Sequence, residues 1–287
     1  MKIPARLRPL YDDGLIDEVL YQLMSGKEAT VYVVRSGDET RCAKVYKEAA
    51  KRSFKQASKY QEGRRTKNSR RARAMEKGSK FGRKQVEEAW QNAEVDALYR
   101  IARAGVRVPQ PYGCFDGVLL MELVTDEAGE VAPRLGDVDM SAEQALEDHA
   151  MMMHYIQLML CAGLVHGDLS EFNVLVDEYG PVVIDLPQAV DAAANNHAPA
   201  MFARDVNKIT SYYALFAPQL KQTTYASEIW GLYEDGELQP ETELSGLFEE
   251  DLHSADVDAV LLEIKAAMAE EAARQERLRE SEEPDQP

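Results

Sequence analysis

Three early runs are dominated by apolar, β-branched and aromatic residues with few polar interruptions: Val19–Met24, Thr30–Arg35 and Arg41–Tyr46. Each predicts a strand, and Ser36-Gly37-Asp38 supplies the turn between the last two. Residues 4–13, ahead of them, predict a short helix. From Lys84 to Ala104 the apolar residues recur with a helical period, through Val86, Trp90, Val95, Leu98 and Ile101, with Gly105 as the stop. Val108-Pro109-Gln110-Pro111 reads as a connector, and Tyr112–Phe115 and Val118–Val124 as strands flanking Asp116-Gly117. Ser141, with Gln144 three residues on, predicts a capping box. It opens a long Met-rich helix ending near Cys161, whose methionines fill the core rather than bind a cofactor. Asn173–Val176 and Val182–Ile184 predict two short strands. Ala198–Phe216 and Val257–Leu278 are the strongest later helices. No internal repeat is visible, and the order of elements predicts an α+β fold.

Composition narrows the class. A chain of 287 residues with 45% hydrophobic content can bury a large core. No apolar run approaches membrane-spanning length, and Met1 to Arg6 lacks the apolar segment of a secretory signal. Cys42, Cys114 and Cys161 are odd in number and widely spaced, which points to a reducing, cytoplasmic setting. The net charge of −17 conceals an asymmetry: Lys47 to Lys84 holds fifteen Lys/Arg against three Glu, a balance of +12, so the remainder carries −29. The acidic body repels nucleic acid. The basic segment reads either as a solvated loop or as a docking site for phosphate or an acidic surface. Residues 279–287 are acidic, contain proline, and are expected to be a disordered tail.

The chemistry concentrates in HGDLSEFNVLVDEYGPVVIDL, His166 to Leu186. Asp177-Glu178-Tyr179-Gly180-Pro181 is turn chemistry between the two short strands. A hairpin symmetric about Tyr179 sets Val174 opposite Ile184 and Asn173 opposite Asp185, roughly 4.5–5.5 Å apart. One hard cation then bridges an amide and a carboxylate, with Asp168 in the loop just upstream. The string H-x-D-L-x-x-x-N, an apolar strand and then I-D is protein-kinase-like: Asp168 as catalytic base, Asn173 and Asp185 as Mg²⁺ ligands.

Upstream, Ser25-Gly26-Lys27-Glu28-Ala29-Thr30-Val31-Tyr32 joins two predicted strands. Against the glycine-rich kinase loop G-x-G-x-x-G-x-V, the glycine positions hold Met24, Gly26 and Ala29, with Val31 in place. Small residues at the latter two allow backbone to approach phosphates closely, although taken alone the stretch is also an ordinary β-turn. Lys44, between apolar neighbours on a strand, needs a counter-charge. Glu94 is the first candidate, with Glu87 and Glu88 as alternatives. Met121-Glu122-Leu123, closing a strand, reads as the segment lining an adenine pocket. Met121 is expected at its back, with backbone groups of Glu122 and Leu123 on the purine edge.

These stretches together resemble the RIO family of atypical serine/threonine protein kinases, in the branch bearing S-T-G-K-E-A-N-V-Y and L-V-H-x-D-L-S-E-Y-N. The matches are Ser25 to Tyr32, Lys44, Leu164 to Asn173 (with Ser170 and Glu171 inside it), and Ile184-Asp185-Leu186-Pro187-Gln188. The resemblance spans about residues 10–220. It implies a trimmed two-lobed kinase fold: residues 1–122 as the sheet lobe with a flexible basic loop near 50–80, and 123–278 as the catalytic lobe. It further implies an ATP site with Mg²⁺ (Mn²⁺ as substitute), Lys44 on the phosphates, and serine autophosphorylation. Protein substrates beyond the chain itself are not specified, and RNA or ribonucleoprotein contact through residues 47–84 is the corresponding partner expectation. Departures from ordinary kinases are Gly167 in place of the H-R-D arginine, Leu186-Pro187 in place of F-G, and no A-P-E element. Two alternatives stay open. One is an ATP-driven switch on a ribonucleoprotein particle. The other is a small-molecule phosphotransferase of aminoglycoside or choline type, disfavoured because only about 45 residues separate Glu122 from Asp168.

Overall fold

A computed structural model describes residues 3–26, 29–47 and 94–247. Lys27, Glu87, Glu88, the basic segment beyond Lys47, the expected helix Val257–Leu278 and the tail 279–287 lie outside the described residues.

Strands β1 (Glu18–Ser25), β2 (Ala29–Ser36), β3 (Glu39–Tyr46), β4 (Pro111–Phe115) and β5 (Val118–Glu122) form one antiparallel sheet, in the order β1-β2-β3-β5-β4. The central strand β3 pairs Val31 with Lys44 on one side and Leu119 with Lys44 on the other. Because successive side chains alternate faces, Ala43 and Val45 enter a core with Leu7, Leu10, Ile16, Val19, Val34, Val118 and Leu120. Leu10 belongs to α1 (Arg8–Asp12), a helix too short to persist alone and held by this burial. Each such fully buried side chain contributes roughly 1.5–3 kcal/mol. Lys44 and Tyr46 take the opposite face. There Tyr46, Ala29 and Leu119 pack with Ala97, Leu98 and Ile101 of α2, whose described part is 94–103.

The same core continues into α3 (Ala142–Cys161), α4 (Ala198–Tyr213) and α5 (Tyr225–Glu234). Met152, Met153 and Met159 of α3 pack in it with Phe202, Val206 and Ile209 of α4, as core filler. Two short pairs frame the Asp-rich segment: β6 (Leu164–Val165) with β9 (Val190–Asp191), and β7 (Val174–Asp177) with β8 (Gly180–Val183). An antiparallel sheet followed by helices is the α+β arrangement the periodicities predict.

Four local expectations are corrected. The strand predicted to reach Val124 stops at Glu122, because Val124 accepts from Ala132 N at 3.0 Å beside the Thr125–Val131 bridge. The capping box is half made: Ser141 Oγ accepts from Gln144 N at 3.1 Å, but the Gln144 amide turns to Asp148 Oδ1 at 2.8 Å. The α4 helix ends at Tyr213 rather than Phe216, ahead of Pro218. The β7–β8 hairpin is one residue out of the symmetric register: Val174 faces Val183 and Asp177 faces Gly180. Asp177 Oδ1 accepts from Tyr179 N at 2.9 Å, closing a tighter turn, and Gly180 takes φ +110°, which favours glycine.

Candidate active site

Lys44 Nζ donates to Glu94 Oε1 at 2.5 Å and to Asp185 Oδ1 at 2.7 Å. The two carboxylates come from α2 and from the end of the hairpin, so this contact joins the sheet to the helical part. Burial alone would pull the Lys44 ammonium down, but Asp185 and Glu94 outweigh it and hold it well above its ordinary value. Lys44 in turn holds the Asp185 carboxyl below the usual range, helped by Arg134. Glu94 is sealed in at 4% side-chain exposure, whereas Asp185 leaves 43% of its side chain open. Burial, with Glu94 nearby, pushes the Tyr46 hydroxyl well up, keeping that ring neutral beside the cation.

The shifted register does not set Asn173 opposite Asp185. Ile184 N donates instead to Asn173 O at 3.0 Å, and Asp185 follows with φ +68°. A left-handed non-glycine residue costs roughly 1–2 kcal/mol, and strain of this kind concentrates where side-chain aim matters. The turn directs Asp185 back to Lys44 across the sheet boundary.

Asp168 lies in the loop between β6 and the 3-10 turn Glu171–Asn173. Its carbonyl accepts from Asn173 Nδ2 at 2.8 Å, which fixes the amide and leaves Asn173 Oδ1 as the acceptor. Its carboxylate accepts from Gln188 Nε2 at 3.3 Å and from Lys208 Nζ at 3.5 Å. Asp168 N donates to His166 Nδ1 at 3.3 Å, so His166 Nε2 carries the proton shared with Ile184 O at 3.1 Å. Gly167 adopts φ +83°, which accounts for glycine where ordinary kinases have arginine. Gly167 N donates to buried Asp205 Oδ2 at 2.7 Å, and Arg204 donates to Gly167 O. Burial pushes the Asp205 carboxyl up despite these donors. Ser170 is buried in the loop, while the Glu171 stem and the Phe172 ring lie against Gly136.

At the β1–β2 connection, Ser25 Oγ meets Thr30 Oγ1 at 3.2 Å, Gly26 N donates to Ala29 O at 2.9 Å, and Lys47 Nζ donates to Ser25 Oγ and Gly26 O. Among the described residues, a Cβ on Gly26 would come no closer than 3.8 Å, to Ala29 O. Ala29 is buried in the core and Val31 pairs with Lys44. Met121 pairs with Cys42 and Pro111. Glu122 N already donates to Gln110 O at 2.9 Å, and Glu122 Oε2 accepts from Gln110 N, so that N–H is committed within the chain.

No local sequence pattern gives a role to Arg204, Asp205 or Lys208, and Gln188 stands only at the end of the Ile184–Gln188 match. A trace was present: Asp205 interrupts the apolar stripe Met201, Phe202, Val206 and Ile209, and buried charge on a helix face calls for a partner.

An antiparallel sheet carrying an ion-paired lysine above an Asp-Asn loop and a second aspartate defines a protein-kinase-like fold. A family model described as the RIO domain matches residues 30–226. The RIO-type serine/threonine-protein kinase Rio1 of Haloferax volcanii is 36% identical over 210 residues, covering 73% of this chain and 68% of that protein. Serine/threonine-protein kinase rio1 of Schizosaccharomyces pombe is 29% identical, covering 85% of this chain and 48% of the relative. Human serine/threonine-protein kinase RIO1 is 31% identical, covering 70% and 34%. The chain belongs to the RIO family of serine/threonine protein kinases. It spans about half of the fission-yeast relative's length and about a third of the human one's.

Proposed function

We propose that this chain transfers the γ-phosphoryl group of ATP to serine or threonine hydroxyls, its own among them. The observation that carries the reading is the Lys44–Glu94–Asp185 cluster beside the Asp168–Asn173 loop. Lys44 positions the nucleotide phosphates, with Glu94 holding it in place. Asp168 takes the proton of the acceptor hydroxyl. Asn173 Oδ1 and Asp185 would hold a divalent cation, Mg²⁺ with Mn²⁺ as substitute, which supplies charge neutralisation on the phosphates. Two protein ligands suit a metal that keeps water and substrate oxygens in its shell, and no three-ligand metal cluster exists among the described residues. Ser25, Gly26, Lys27, Ala29 and Val31 cover the phosphates, where the small residues Gly26 and Ala29 admit close backbone approach. Met121, the Glu122 carbonyl and the Leu123 backbone line the purine. Ser170 and Glu171 shape the loop around Asp168. On this reading residues 1–122 form the nucleotide lobe and the chain from 123 the catalytic lobe. Residues 47–84 serve as the autophosphorylated, anion-docking segment, with RNA or a ribonucleoprotein as the partner. The three free cysteines and the lack of a membrane-spanning helix among the described residues accord with a cytoplasmic setting.

The test is incubation of the purified chain with γ-labelled ATP and Mg²⁺. Label on serine or threonine of the protein is expected, and none with Asp168→Asn. Free phosphate released with no labelled protein would replace this reading with an ATPase.

A further inference from the structure

From Leu164 to Val190 the chain contains five carboxylates and no lysine or arginine. The loop that presents Asp168 therefore brings no cation of its own to a reaction that moves a multiply charged phosphoryl group. Among the described residues, the neighbouring cations are mostly committed. Lys44 is shared by Glu94 and Asp185. Arg204 is bonded to Gly167 O and lies 3.5 Å from Asp205. Arg134 donates to Met24 Sδ, on the β1 side of the site.

Lys208 differs. It rises from α4, with 40% of its side chain exposed, and meets Asp168 Oδ1 at 3.5 Å, the outer limit of a hydrogen bond. Asp168 is itself 41% exposed, so both groups open onto the same space. An ammonium carries three donors, and among the described residues only this long contact uses one. The α4 helix is fixed at this point by Asp205 on Gly167 N, so Lys208 is anchored to the very loop whose charge it balances.

We propose that Lys208 is the phosphoryl-binding residue of the catalytic loop, supplied from α4. The inference rests on the kinase reading above. In the step, the bond between the γ-phosphorus and the β–γ bridging oxygen breaks and a bond from the acceptor oxygen to that phosphorus forms. The hydroxyl proton passes to Asp168, and ADP leaves with the bridging oxygen. Lys208 remains protonated and binds a γ-phosphoryl oxygen while Gln188 keeps Asp168 aimed at the acceptor.

The experiment compares the full chain with Lys208→Gln and Lys208→Arg, by turnover and by equilibrium binding of Mg²⁺-ADP and of an ATP analogue with a non-transferable γ-phosphate. Loss of one preorganised donor should lower kcat about 10²–10³-fold in Lys208→Gln. The ratio of analogue to ADP affinity should fall about tenfold, with ADP affinity and melting temperature unchanged. Lys208→Arg should recover most of both. The affinity ratio reads Lys208 even in a preparation that transfers no phosphate, whereas absent turnover in the parent counts against the kinase reading alone. An unchanged affinity ratio in Lys208→Gln overturns the inference, as does a kcat within threefold of the parent's. So does an equal loss of analogue and ADP binding.

Discussion

Asp168 sits between two donors that reach only its carboxylate, Gln188 and Lys208, whereas Asp185 is tied to Lys44. Their removal should therefore fail differently. Asp168→Ala should lower phosphoryl transfer by about 10²–10⁴-fold, the usual worth of a general base, and leave Mg²⁺-ATP affinity within a few-fold. Asp185→Ala should abolish transfer and also weaken Mg²⁺-dependent ATP binding, because a ligand is lost and Lys44 is left with Glu94 alone. Calorimetric titration of both variants with nucleotide in the presence and absence of Mg²⁺ distinguishes them; equal losses of affinity would undo the assignment. At this scale the motif residues were legible, since H-G-D-L-S-E-F-N and I-D stand in the sequence as strings. Lys208 was not, because an exposed lysine on a helix has no pattern until the helix is placed beside the loop.

Helix α3 carries a second pH-sensitive group. His149 is buried, with Nε2 3.0 Å from Thr210 Oγ1 of α4 and its ring against Tyr213 and Tyr225. Burial lowers its pKa from 6.5 to about 4. The folded state thus favours neutral imidazole, and between these values the unfolded chain binds more protons. Stability is full above 6.5 and is lost as pH falls toward 4, by roughly 2–3 kcal/mol at pH 4.5. Urea midpoints measured from pH 7 to pH 4.5 should show this decline, and His149→Phe should flatten it; an unaltered slope in the variant would assign the acid sensitivity elsewhere. The depressed Asp185 carboxyl acts only at lower pH, below the ordinary carboxylate range. Helices α3 and α4 were legible from periodicity. The hairpin register was not, because a one-residue shift depends on turn closure by Asp177 and Gly180 and leaves the apolar pattern of β7 and β8 plausible either way.

The charge separation belongs to the whole molecule: +12 within residues 47–84 against −29 elsewhere. Ser53, Ser58, Ser69 and Ser79 lie among those cations. Mass-spectrometric mapping after incubation with ATP should place phosphate on serines within 50–80. Each phosphate adds roughly −1.5 to −2 charges, so a few offset much of the local positive balance. Binding to a single-stranded RNA oligonucleotide should then weaken with phosphorylation and fall steeply with salt. Sites found only outside 50–80, or an affinity indifferent to salt, would remove the docking role.

Sequence alone determined the order of the five sheet strands, α3, the β7–β8 hairpin and α4, the capped start of α3 and the identity of the motif residues, because these depend on neighbours within a turn, a strand or a short loop. It also carried the resemblance to RIO kinases, since that rests on contiguous strings. Tertiary structure alone decided the choice of Glu94 as Lys44's partner, the left-handed turn that swings Asp185 to Lys44, and the engagement of Glu122 N by Gln110. It alone brought Arg204, Asp205 and Lys208 of α4 to the Asp168 loop. Each joins residues from separate elements, and their meeting follows from how the sheet and the helices share one apolar core, which no local pattern encodes.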